Sequence, residues 1–280
     1  MTAIRLDGTA LAAKVKARVR EEAAALPRRP GLAVILVGED PASRVYVNSK
    51  RKDCTDCGLY SEEYALPAAV GQEALLELID ALNGREEIDG ILVQLPLPAG
   101  YEEQTVLEAI DPAKDVDCFH PYNVGRMSIG KPVFRPCTPA GVMELLAEYH
   151  IEPAGKECVV LGRSNIVGKP MGMLLLAANG TVTTCHSRTP DVKTIAARAD
   201  ILVSAVGKTG FVTADMVKEG AVVIDVAMNR DETGKLCGDV TAEAAERAGW
   251  LTPVPGGVGP MTRAMLMENT LTAAKLHLGV

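Results

Sequence analysis

Aromatic residues are scarce in this 280-residue chain, where three Phe, six Tyr and one Trp make up 4% of the whole. A core must therefore be built from Ala, Val, Ile, Leu and Met, which suits helices stacked on buried strands. Apolar runs of about 18 residues are missing, and Met1-Thr2-Ala3-Ile4-Arg5-Leu6-Asp7-Gly8 has no apolar leader segment. No membrane partner and no secretion are expected, and the cytoplasm is the expected compartment. Excess positive charge is also absent: 29 Lys and Arg stand against 36 Asp and Glu, a net charge of -7. A surface that wraps nucleic acid is not expected. The cysteine count of seven is odd and scattered, which suits reduced thiols better than a disulfide framework. Cys54-Thr55-Asp56-Cys57 lacks a second such pair, so it reads as two thiols on one helical segment, and no metal site is expected.

What is present has the composition of an ordinary globular protein, 48% hydrophobic and 23% charged, in a length that suits about two domains. Strand-length apolar runs alternate with helical patterns, the rhythm of parallel α/β units. Leu11, Val15, Val19 and Leu26 make an opening helix. The run from Leu32 to Val37 reads as a strand covered on both faces. Asp40-Pro41 supplies a cap and a first-turn proline for a helix reaching about Cys57, and a helix on Leu75, Ile79 and Leu82 precedes a strand from Ile88 to Leu95. Thr138-Pro139 opens a second block with strands at Glu157–Leu161, Thr181–His186, Ile201–Val206 and Ala221–Val226, and a helix from Pro170 to Ala178. This is the outline of a nucleotide-binding α/β domain. The final helix, Thr262 to Leu278, follows a Pro/Gly-rich stretch.

The strand ending at Leu161 runs into Gly162-Arg163-Ser164-Asn165-Ile166-Val167-Gly168-Lys169-Pro170. Glycine lets backbone amides approach a diphosphate, and the helix that follows adds donors and a partial positive charge. The spacing is not that of the regular glycine fingerprint, and a plain strand-to-helix turn reads equally well. At the end of the next strand, Cys185-His186-Ser187-Arg188-Thr189 stands where an acid for the adenosine ribose is usual. Ser187 and Arg188, with Arg163, suit a 2′-phosphate, which favours NADP over NAD.

Tyr46 and Lys50 lie four residues apart, one turn on one helical face, so a ring for stacking and an amine for proton chemistry stand side by side. Burial would lower the lysine pKa toward the range that acid/base work requires. On spacing alone, a solvated Tyr/Lys pair on a basic helix is the commoner reading. Gln94, at the end of its own strand, falls on the same sheet edge, within reach of Lys50 or a substrate carbonyl. Lys114-Asp115-Val116-Asp117-Cys118-Phe119-His120 brings carboxylates that serve either a ligand or loop capping. The stretch Pro253 to Pro260 is either a ligand-hugging loop or a stiff connection. His120 and His186 have no partner at recognisable spacing and are assigned no catalytic part.

Six ordered motifs carry a resemblance across nearly the whole chain: Tyr46-Val47-Asn48-Ser49-Lys50, Val93-Gln94-Leu95-Pro96-Leu97-Pro98, Lys114 to Asp117, Pro136 to Pro139, Gly162 to Pro170, and Pro253 to Thr262. In that order they resemble the bifunctional methylenetetrahydrofolate dehydrogenase/methenyltetrahydrofolate cyclohydrolase family. The resemblance implies an α/β fold of two domains, a substrate domain and a Rossmann-like NADP domain with a cleft between them. The implied division is 1–138 plus 261–280 for the folate-binding catalytic domain and 139–260 for the NADP domain. It also implies two linked reactions in one-carbon metabolism. The first oxidises 5,10-methylenetetrahydrofolate to the methenyl cation with NADP, and the second hydrolyses that cation to 10-formyltetrahydrofolate.

Lys50 is then the principal catalytic residue, with Gln94 tuning it, Tyr46 packing on the folate ring and Asp117 accepting hydrogen bonds from the pterin edge. Val93, Leu95, Pro255, Gly256, Gly257, Val258 and Gly259 line the folate site. Gly162, Arg163, Ser164, Ser187, Arg188 and Met228 hold NADP. The resemblance also implies a homodimer formed through the second domain. Two departures from the family pattern stand out: Cys118 replaces a usual glycine, and Ala227-Met228 replaces a usual Gly-Ile. A related possibility is a two-domain dehydrogenase resembling shikimate dehydrogenase, against which the Tyr46-to-Lys50 spacing and the Gln94 motif argue.

Overall fold

A computed structural model describes residues 3–280. Met1 and Thr2, the start of the stretch read above as lacking a leader, lie outside the described residues. In chain order the elements begin with β1 (Ile4–Arg5), α1 (Gly8–Ala24), β2 (Gly31–Val37), α2 (Pro41–Asp56) and β3 (Tyr60–Leu66). There follow α3 (Gln72–Asn83), β4 (Gly90–Val93), α4 (Glu103–Glu108), α5 (Pro121–Ser128) and α6 (Cys137–Glu148). Next come β5 (Glu157–Leu161), α7 (Gly168–Ala177), β6 (Thr181–Cys185), α8 (Val192–Ala196), β7 (Ile201–Ser204) and β8 (Val222–Asp225). The chain closes with β9 (Asn229–Arg230), β10 (Leu236–Cys237), α9 (Ala242–Arg247), β11 (Trp250–Leu251) and α10 (Val258–Leu278).

Two compact units emerge. One comprises Ala13–Arg135 with Arg263–Val280, the other the residues up to Ala12 with Pro136–Thr262, so the divisions fall inside α1 and α10.

The first unit holds a three-stranded parallel sheet in the order β3-β2-β4. All seven residues of β2 are buried, as its unbroken apolar run requires. On one face Ala33, Ile35 and Val37 pack with Ile91 and Val93 against Leu75, Ile79 and Leu82, the inward stripe of α3. The edge strand β3 escapes the sequence reading because Tyr-Ser-Glu-Glu-Tyr is polar. Its pairing is legible only beside β2, and its carboxylates serve the neighbouring helix, with Glu63 accepting from both Arg44 and Arg51 of α2.

The second unit is built on a six-stranded parallel sheet, β1-β11-β8-β7-β5-β6, with a short β9/β10 hairpin beside it. Val159 and Leu161, Leu202 and Val223 alternate onto one buried face. Apart from the edge strand β1, the chain enters this sheet at β5, steps to β6, then reverses direction across it through β7, β8 and β11. The reversal between β5 and β7 opens a crevice at the carboxyl ends of those strands. β1 and β11, two residues each, are too short to show a period in the sequence. The final helix begins at Val258, four residues before the expected start, so Val258, Gly259 and Pro260 form its first turn.

Candidate functional site

In the first unit the site is built on α2. Asp40 caps that helix, accepting from Ser43 N at 2.7 Å, and Pro41 opens it, as the sequence dictates. Val47, Cys54 and Cys57 form its buried face, which leaves Tyr46 and Lys50 half-buried along the border. Burial pushes the Cys54 thiol up to about 12 and the Cys57 thiol up to about 11, so both are inert core groups. The helix is pinned one turn beyond Lys50 by Asp53, 2% exposed, which takes Lys16 Nζ from α1 and Arg263 Nη1 from α10, each at 2.9 Å. Asp53 was not singled out in the sequence. Its two cations sit far from it along the chain, and no local pattern links them.

Lys50 Nζ donates to Gln94 Oε1 at 2.9 Å. Gln94 directly follows β4; its backbone amide bonds Ile35 O at 2.8 Å, and its own Nε2 donates to Leu95 O at 2.7 Å. The amide side chain is thereby oriented with its oxygen toward the lysine. Leu95 precedes a cis bond to Pro96, which turns the chain off the sheet.

The two aspartates of the following motif differ sharply. Asp115 is 2% exposed and accepts from Phe119 N, His120 N and Asn123 Nδ2 at 2.9–3.1 Å, so its oxygens are committed to capping the start of α5. Burial raises its pKa. Asp117 is half-buried. Lys114, also buried, points its ammonium at the carbonyls of Leu82, Asn83 and Arg85, where α3 ends. His120 Nδ1 accepts from Tyr122 N at 3.0 Å, the local cap of α5.

Cys118 has φ of 61° and is fully buried, with Sγ on Phe134 O at 3.3 Å. Left-handed backbone costs a non-glycine residue about 1–2 kcal/mol. Glycine would remove that cost and forfeit the sulfur packing. Cys118→Gly is therefore expected to stay within about 1 kcal/mol of the parent, whereas the β-branched Cys118→Val should lose about 2 kcal/mol or more. Urea unfolding of the two variants measures the difference.

In the second unit, Gly162 ends β5 with φ of +120°, and a Cβ there would stand 2.5 Å from Ala205 O. Gly168 opens α7, and a Cβ on it would stand 2.2 Å from Gly162 O. Only a loop of bare backbone fits. Ser164 Oγ closes that loop by accepting from Val167 N and Gly168 N at 3.2 and 3.3 Å. Arg163 and Ser164 are exposed, as are Ser187 and Arg188 just past β6, where His186 Nδ1 accepts from Arg188 N at 3.1 Å and shapes the turn. A glycine-floored crevice, a helix N-terminus and two exposed arginines fit a phosphate-bearing dinucleotide. Pro253 to Gly257 form a separate turn with a cis Val254-Pro255 bond, and Gly256 O accepts from Thr9 N at 3.0 Å.

At the end of β8, Asp225 is 3% exposed and accepts from Ala227 N and Val240 N at 3.2 and 3.0 Å. Burial pushes its carboxyl up to about 6, and the Asp239 carboxylate adds to the rise. A carboxyl raised in the folded state binds its proton more tightly there, so its contribution to stability falls as pH rises from the unfolded value toward about 6. Between about pH 4 and pH 7.5, the stability of Asp225→Asn relative to the parent should therefore improve by about 2 kcal/mol. Urea titrations at the two pH values test it, and a pH-independent gap would count against a carboxyl pKa raised by folding.

These two units are those of a two-domain α/β enzyme that binds a dinucleotide. Family models narrow the class: residues 6–117 match the catalytic domain of tetrahydrofolate dehydrogenase/cyclohydrolase, and residues 136–278 match its NAD(P)-binding domain. The chain belongs to this family. It is 60% identical over 281 residues to the bifunctional protein FolD of Acetivibrio thermocellus, covering 99% of each chain. Its fold is similar to that of the bifunctional methylenetetrahydrofolate dehydrogenase/cyclohydrolase FolD of Campylobacter jejuni, with a TM-score of 0.96 and 48% identity over 98% of this chain and 99% of that one. The Trypanosoma brucei N5,N10-methylenetetrahydrofolate dehydrogenase-cyclohydrolase, solved with NADP cofactor and inhibitor, has a TM-score of 0.96 and 42% identity over 100% of both chains.

Proposed function

We infer that this chain oxidises 5,10-methylenetetrahydrofolate with NADP and then hydrolyses the methenyl product to 10-formyltetrahydrofolate. The observation that carries the reading is the bond between Lys50 Nζ and Gln94 Oε1, made across 44 residues of chain, in a member of the family that performs both reactions. In the folate-binding unit, Gln94 fixes the lysine amine so that it assists water attack and moves a proton at the folate nitrogen. Tyr46, on the same helix face, packs on the folate ring system.

Asp117 accepts hydrogen bonds from the amino and ring nitrogen groups of the pterin, a pairing in which one carboxylate takes two donors. Its neighbour Asp115 is buried, 2% exposed, and holds three donors from within the fold, so it does not face a ligand. Val93 and Leu95, at and just past the end of β4 in the same unit, supply apolar contact. In the other unit, Gly162 and Ser164 shape the loop for the diphosphate, Arg163, Ser187 and Arg188 hold the 2′-phosphate, and Met228 contacts the cofactor. NADP, when bound, supplies the acceptor for the hydride that leaves the methylene carbon. Loss of that hydride makes the carbon electrophilic, so the second reaction needs only water and a group to manage its proton.

A homodimer formed through the NADP unit, working in the cytoplasm, completes the reading. It rests on the family likeness and on seven free thiols. No helix among the described residues is long and apolar enough to cross a membrane.

Purified protein should reduce NADP only when methylenetetrahydrofolate is supplied, with NAD a poorer acceptor. A spectrophotometric assay with each cofactor, following the nicotinamide and methenyl absorbances together, checks this. Absence of any folate-dependent reduction, or turnover of shikimate in its place, would overturn it.

A further inference from the structure

The loop after β7 has an unusual support. At the strand reversal, Ala205, which opens this loop, lies against the cofactor loop, close enough that Gly162 has no room for a side chain. Three consecutive amides of this segment converge on one carboxylate, that of Asp239. Val206 N and Gly207 N donate to Oδ2 at 3.0 and 3.3 Å, and Lys208 N donates to Oδ1 at 2.7 Å. Ser204 Oγ adds a fourth bond to Oδ2 at 2.7 Å, and Asn229 Nδ2 a fifth to Oδ1 at 3.0 Å. Asp239 is 0% exposed.

Successive amides turned inward commonly cradle a bound anion. Here the anion belongs to the protein, and it serves to fix the loop. The fifth donor extends the same control to a second segment, because Asn229 follows Met228. The Met228 side chain is 43% exposed, and its Sδ lies 3.4 Å from where a Cβ on Gly259 would stand. One buried carboxylate thus ties the β7 loop to the Met228 segment.

The position of these segments gives the tie its meaning. In a doubly wound sheet a dinucleotide lies across the reversal, its diphosphate at the first loop and its adenosine half over the neighbouring strand. Ser187 and Arg188 follow that neighbour, β6. The nicotinamide half then passes over the ends of β7 and β8, the segments that Asp239 holds.

We propose that Asp239 is a positioning residue for the nicotinamide half of the cofactor, setting the β7 loop and the Met228 segment against it without touching it. This rests on the NADP reading given above. Asp239→Asn keeps the shape and puts an amide donor where the loop offers only donors, so the segments must part.

The test compares two probes by fluorescence or calorimetric titration: NADPH, which spans both halves of the site, and 2′,5′-ADP, which occupies only the adenosine half. In Asp239→Asn the Kd for NADPH should rise about tenfold, as for loss of one charge-assisted bond, while that for 2′,5′-ADP stays within about twofold. The KM for NADP should rise in parallel, and hydrolysis of added methenyltetrahydrofolate should be unchanged. Parallel weakening of both probes, or no change in either, overturns the assignment. Failure of the parent itself to bind NADPH would overturn the cofactor reading as well, and the two failures are thereby distinguishable. If Asp239→Asn does not fold, Asn229→Ala decides on the same titrations: it removes only the fifth bond and should weaken NADPH about threefold, with 2′,5′-ADP unchanged.

Discussion

Replacing Lys50 by methionine should abolish methenyl hydrolysis and leave folate binding measurable. Methionine preserves an unbranched chain on α2 and removes the charged group whose bond to Gln94 Oε1 spans 2.9 Å. A well-placed acid/base group contributes about 100- to 10,000-fold to a rate, and Lys50 is the only side chain assigned that work here. A loss of at least about 1,000-fold is therefore expected. The helix itself should persist, because its cap at Asp40 and its pin at Asp53 are untouched. Decay of the methenyl absorbance gives the rate, and titration with a folate gives the binding. Full hydrolysis in Lys50→Met would remove the lysine from the mechanism, whereas joint loss of binding and rate would recast it as a substrate anchor.

The second large effect is expected from Gly168→Ala, which should cripple the dehydrogenase and spare the cyclohydrolase. The added methyl would stand 2.2 Å from Gly162 O and 2.7 Å from Arg163 N, both backbone atoms of the cofactor loop. Neither can give way without moving the loop amides proposed above for the diphosphate. Overpacking of this kind costs about 3 kcal/mol, which corresponds to about 100-fold in cofactor affinity. The KM for NADP should rise by that order. Hydrolysis of supplied methenyltetrahydrofolate should stay within about twofold of the parent, as Lys50 and Gln94 belong to the other unit. Equal loss of both activities would instead indicate global destabilisation, and an unchanged KM would show that the loop is not the diphosphate site.

How much of this could be read from the sequence depends on how local each signal is. The helix from Pro41 was legible because its cap, its proline and its apolar spacing are all contiguous, and β2 because seven apolar or small residues leave no polar face. The Tyr46-to-Lys50 spacing gives the site a face, and strand-end placement leaves Gln94 to meet either Lys50 or a substrate carbonyl; the 2.9 Å bond from Lys50 Nζ to Gln94 Oε1 depends on the fold.

Legibility failed where the cause lies elsewhere in the chain. The polar strand β3 is a strand because β2 offers it hydrogen bonds along its full length, and β11 and β1 exist only as additions to β8. The final helix starts inside the Pro/Gly stretch because proline is well tolerated in a first turn, which composition alone reads as a loop. Asp115 and Asp117 look alike in sequence. Their separation into a capping group and a half-buried carboxylate follows from the donors of Phe119, His120 and Asn123.

The cysteines of this protein make it ready for a reporter group without prior engineering. Six of the seven thiols are buried and Cys237 alone is partly open, on β10, with Sγ 3.5 Å from Thr209 Oγ1. A maleimide dye or spin label added to the folded protein should therefore attach at Cys237 in preference to the others. A label there would sit beside the segment that follows the β7 loop, and its signal would report whether that loop stays fixed during turnover.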